Sequence, residues 1–117
     1  MKVGAVVRVE LAGKLRPAVV IESGIVSPTG GRFVRVAYGT TREPDAGTDA
    51  ICVDAATRDG RKLEIGAVTW FRGENAALVR LADAGDGKGV CPVALLHRIQ
   101  GLVAARDAVV VLAGTRK

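Results

Sequence analysis

At 117 residues, nearly half of them hydrophobic, the chain has room for one domain with a real core and too little for two. No apolar run approaches the ~20 residues that span a bilayer, and Met1-Lys2-Val3-Gly4 leads straight into strand-like sequence without a signal peptide's long apolar core, so a cytoplasmic protein with no membrane partner is expected. The formal net charge of +5 lies wholly in residues 1–42, where Lys2, Arg8, Lys14, Arg16, Arg32, Arg35 and Arg42 oppose only Glu10 and Glu22; residues 43–117 hold ten charges of each sign.

The first element is a strand within Val3–Leu11, where Val7, Val9 and Leu11 alternate with Arg8 and Glu10. Ala12-Gly13-Lys14 turns the chain into a second strand, Pro17–Glu22. Arg16 stands directly before Pro17, whose ring fixes φ near −65° and biases its predecessor to extended geometry. A cation is thereby set at the start of the apolar run Ala18-Val19-Val20-Ile21. Ser27-Pro28-Thr29-Gly30-Gly31 is dense turn chemistry, and Ile25-Val26 before it suits a strand extension. A third strand, Arg32–Tyr38, places Val34, Val36 and Tyr38 on one face and Arg35 on the other, and it ends in Gly39-Thr40-Thr41-Arg42.

A polar loop follows, then a short strand at Ala50–Asp54 and a turn-rich connection over Ala55–Lys62. Val68-Thr69-Trp70-Phe71 and Ala76–Leu81, separated by Arg72-Gly73-Glu74-Asn75, read as a hairpin. Ala82–Gly89 reads as a solvent-exposed Gly/Asp loop. Pro92–Arg106 has helical spacing, with Leu95, Leu96, Ile99, Leu102 and Val103 on one side and Arg98 opposite. Val109–Leu112 reads as a last short strand or a tail on the core. Five to seven short strands and then one helix predict a mainly β fold: a small twisted antiparallel barrel closed at one end by the C-terminal helix.

The chemistry is narrowed by what is missing. With one histidine and two cysteines 39 positions apart, neither a CxxC nor an HExxH pattern exists, and no metal or cofactor is expected. Cys52 and Cys91 read as small buried or semi-buried hydrophobes rather than a disulfide. His97 reads as a helix-surface residue, and Trp70 and Phe71 as core, with stacking of one of them on a base of a single strand as the alternative. What remains is Arg16 with Thr40. An arginine fork and a hydroxyl donor can hold two phosphate oxygens at once and stabilise the charge that develops when an RNA 2′-hydroxyl attacks its own phosphate. Read singly, Arg16 is also a surface charge at a strand start, and Thr40 and Thr41 are also loop hydroxyls bonding their own backbone. No residue stands out as the base or the acid such a reaction needs.

At these positions the chain resembles toxins of the MazF/PemK type. The resemblance is carried by Gly4–Leu11, by Arg16-Pro17-Ala18-Val19-Val20-Ile21, and by a strand ending Tyr38-Gly39-Thr40-Thr41, with the Thr69-Trp70-Phe71 region and the helix following in the expected order. It implies an SH3-like barrel with a C-terminal helix, a homodimer, metal-independent cleavage of single-stranded RNA, and inhibition by a cognate acidic antitoxin. By position, Arg16 and Thr40 match the family's active-site arginine and threonine. Lys14, Arg35, Thr41 and Arg42 are the expected contributors to the RNA groove, with Arg35 set apart by its place on the other face. A non-catalytic barrel binding nucleic acid or a partner protein through the same basic rim is the competing expectation.

Overall fold

The computed structural model describes the backbone of residues 1–115 and the side chains of residues 1–85 and 89–109. Its strands are β1 (Ala5–Leu11), β2 (Lys14–Val26), β3 (Arg32–Thr40), β4 (Ala50–Val53), β5 (Thr69–Arg80) and β6 (Gly85–Val90). They form one sheet in the order β4-β5-β3-β2-β1-β6, each strand antiparallel to its neighbours, which curls into a half-barrel. A short helix α1 (Arg58–Lys62) lies between β4 and β5, and a long one, α2 (Val93–Thr115), follows β6. Among the described residues no helix is long and apolar enough to cross a membrane.

The consecutive apolar residues Val6-Val7 in β1, Ala18–Ile21 in β2 and Val36-Ala37 in β3 have a direct explanation: both faces of these strands are buried. On one face Val6, Val19, Ile21, Ala37 and Phe71 pack against Leu95, Leu96, Ile99 and Val103 of α2. On the other face Val7, Val9, Ala18, Val20, Val34, Val36 and Val79 pack together, with Leu11 and Tyr38 partly buried at the margin. α2 buries the predicted stripe, while Arg98 and His97 are exposed. It is also tied to the sheet by polar contacts. Gln100 Nε2 donates to the carbonyl of Ile21 at 3.1 Å, where the β2–β3 register shifts. Arg35 meets Asp107 through two parallel hydrogen bonds of 2.8 and 2.9 Å.

Four expectations for the chain are corrected. The supposed hairpin at Arg72–Asn75 is the middle of β5, a continuous strand. Gly73 is there because α2 crosses it: a Cβ would lie 2.8 Å from the Leu102 carbonyl oxygen and 2.9 Å from Arg106 Cβ. The supposed Gly/Asp loop at Ala82–Gly89 contains a 3-10 turn, Leu81–Asp83, and then β6 pairing with β1. A Cβ on Gly89 would lie 2.2 Å from the Lys62 carbonyl oxygen, so close backbone approach again demands glycine.

The turn-rich connection at Ala55–Lys62 holds α1. Its cap, Thr57, accepts from the Gly60 N–H at 3.1 Å through its hydroxyl and donates to the Asp54 carbonyl at 2.6 Å. Finally, Val109–Leu112 continues α2 rather than forming a strand. The β-branched residues cost such a helix only a few tenths of a kcal/mol each, and extending an existing helix avoids a new nucleation.

Candidate functional site

Cross-strand register determines which side chains share a face, because residues directly opposite one another in an antiparallel ladder point the same way. Arg16 is opposite Val9, a core residue of the face away from α2. Ala18 is opposite Tyr38, the last pair of the β2–β3 ladder at this end, and Arg16 and Thr40 lie two residues beyond it on their strands, on the same face. Thr40 in turn is opposite Trp70, Trp70 opposite Cys52, and Arg72 opposite Ala50. Arg16, Tyr38, Thr40 and Trp70 therefore lie on one face at one end of three adjacent strands, β2, β3 and β5.

The arrangement is built locally. The Arg16 guanidinium stands over the Tyr38 ring, 5.8 Å from its centroid, which orients the fork without occupying all its donors. Gly39 between Tyr38 and Thr40 allows β3 to pass close to β5, since a Cβ would lie 2.2 Å from Thr69 Cγ2 and 3.2 Å from Phe71 Cζ. The Thr40 hydroxyl donates to the Arg42 carbonyl at 3.4 Å, at the long end for a hydrogen bond. It keeps its lone pairs, and the weak bond leaves the proton available to a better acceptor. Both Arg16 and Thr40 are half-buried.

Lys14 shares this face, opposite Leu11 at the β1–β2 turn, and is exposed. Thr41 and Arg42 lie just past the end of β3 and are also exposed. Arg35 is not brought to the others. It lies on the face covered by α2, and its fork is committed to Asp107. Hydrogen bonding to Arg35 holds the Asp107 carboxyl below its ordinary value, and the same bond raises the Arg35 pKa. Arg8 is likewise absorbed into the fold, donating to the Glu64 carbonyl. Two of the seven basic side chains in residues 1–42 are thus structural.

Trp70 corrects the core assignment. It is half-buried and packs in neither core cluster, whereas its neighbour Phe71 is fully buried beneath α2. Its neighbour on the same face, Arg72, reaches Glu74 Oε1 at 3.3 Å, while the Arg72 Nε is buried without a hydrogen-bond partner. The signal available in the sequence was strand parity: if Phe71 faces the core beneath the helix, Trp70 must face away from it. Cys52 is also corrected, being exposed on β4 between the buried Ile51 and Val53. Cys91 is buried, and burial pushes its thiol up to about 12. Among the described residues no group of three or more His, Cys, Asp or Glu side chains stands together as a metal site.

No family model matches the chain, and no curated protein matches it.

Proposed function

We propose that the chain is a toxin-like endoribonuclease of the MazF/PemK kind, cleaving single-stranded RNA without a metal by attack of a 2′-hydroxyl on the neighbouring phosphate. The observation that carries this reading is that Arg16 and Thr40, both half-buried, lie on the same face at one end of the neighbouring strands β2 and β3. The Arg16 fork would bind a non-bridging phosphate oxygen pair and neutralise the charge that grows as the fifth oxygen attaches. Thr40 would donate a second hydrogen bond to the same group.

As the new bond forms between the 2′-oxygen and phosphorus, the bond to the 5′-oxygen breaks. The 2′-hydroxyl proton leaves to a base and the 5′-oxygen gains one from an acid. The products are a 2′,3′-cyclic phosphate and a 5′-hydroxyl. Lys14, Thr41 and Arg42 supply contacts to flanking phosphates, which set position more than sequence. Arg35 is left out of this groove because Asp107 holds it on the other side of the sheet. A homodimer and an acidic antitoxin that occupies the groove belong to the same reading.

Incubating a mixed-sequence RNA with the protein in EDTA tests it. Fragments ending in a cyclic phosphate are the expected result. RNA that shifts in mobility but is never cut would instead identify a binding barrel that uses the same rim.

A further inference from the structure

We infer that Trp70 is a stacking platform for a base of single-stranded RNA, one strand away from the group that holds the phosphate. This rests on the reading that the Arg16–Thr40 rim binds RNA. Four observations carry it. Trp70 is the chain's single tryptophan, yet it joins neither core cluster. It lies directly opposite Thr40 on one side and Cys52 on the other, both small side chains that cannot cover an indole. The other aromatic of this face, Tyr38, is already occupied by the Arg16 guanidinium and packs against the core. Beside Trp70, Arg72 keeps a buried Nε donor without a partner.

Adjacent strands are about 5 Å apart, so Trp70 is about one strand spacing from Thr40 and about two from Arg16. A phosphate and a base of one short RNA segment are separated by distances of that order. With its phosphate on Arg16 and Thr40, such a segment can lay a base on the indole. Stacking accepts any base, because every base presents a π-face. Arg72, on the same face, sets a guanidinium paired with Glu74 beside that base.

The test uses a 2′-O-methyl oligonucleotide, which lacks the attacking hydroxyl, and an abasic oligomer with the same phosphates. Indole fluorescence should be quenched by the first and not by the second. By anisotropy of a labelled oligonucleotide, Trp70→Leu should weaken binding about ten-fold, within the range one base–aromatic stack contributes. Trp70→Phe should retain most of the affinity, with thermal melting confirming that both variants fold. Equal quenching by the abasic oligomer, or full affinity in Trp70→Leu, would overturn the stacking role. If Arg16→Ala loses binding while Trp70→Leu keeps it, the platform fails and the rim stands. If the wild type binds neither oligomer, both fail.

Discussion

Arg16 and Arg35 carry the same side chain on adjacent strands of one sheet, and strand parity sends them to opposite fates. Arg35 joins β3 to α2 through Asp107 with bidentate geometry, but both partners are a third to a half exposed, at 31% and 47%. Solvent screening holds such a pair to about 1 kcal/mol or less. Arg35→Ala should therefore lower stability by at most about that amount and leave RNA cleavage unchanged, as denaturation and cleavage assays can measure. Asp107 has its pKa depressed in the folded state, so its contribution is fully present above the unfolded carboxyl value near 4 and disappears as pH falls through the lower folded value. In Asp107→Asn the corresponding step in the pH–stability curve should be missing.

The thiols offer a second check at the same scale. A thiol reagent near pH 8 should label Cys52 alone in the folded protein, and Cys91 only after unfolding, because burial both shields Cys91 and keeps it protonated. The parity of β3 was readable from Val34, Val36 and Tyr38, and it separated Arg35 from the rim. The parity of Trp70 was harder to read. In Val68-Thr69-Trp70-Phe71 no polar residue marks the outward position, and a lone tryptophan in an apolar run resembles core.

Among the elements, β1 to β3 and the buried stripe of α2 were legible because apolar runs and 3.6-residue spacing both leave strong marks. The errors cluster at glycine. Gly73 and Gly89 look like turn signals, yet each is a strand residue against which another backbone packs. A sequence cannot separate these two uses of glycine, because close approach is a property of the partner element. Gly73→Ala tests the distinction. In a turn it would be tolerated, whereas here its Cβ meets the Leu102 carbonyl oxygen at 2.8 Å, so α2 must shift. A loss of about 1–3 kcal/mol is expected from such overpacking, read as a lower denaturation midpoint. The end of α2 was missed for a different reason: Val109-Val110-Val111 has strand propensity, and a helix already formed upstream overrides it.

At the scale of the whole molecule, α2 covers one face of the curled sheet, and the other face closes over a second core with Arg16, Thr40 and Trp70 at its end. The β fold with its C-terminal helix followed from the run of short strands before a single helical stretch. Arg16 and Thr40 were singled out in the sequence, but the place of Trp70 beside them was not. It depends on β2, β3 and β5 being neighbours, an order the chain does not spell out, since β4 and α1 intervene before β5.

The central claim is that one guanidinium and one hydroxyl act on the same phosphate. A double-mutant cycle measures this directly, using the cleavage rate of one RNA in EDTA by the wild type, Arg16→Ala, Thr40→Val and the double variant. Loss of one such donor costs about 10²–10³ in rate, and melting temperatures should change little. The account predicts that the two losses fall well short of multiplying, because removing either group already misplaces the phosphate. Losses that multiply independently, or a wild type that cuts no RNA, would contradict it.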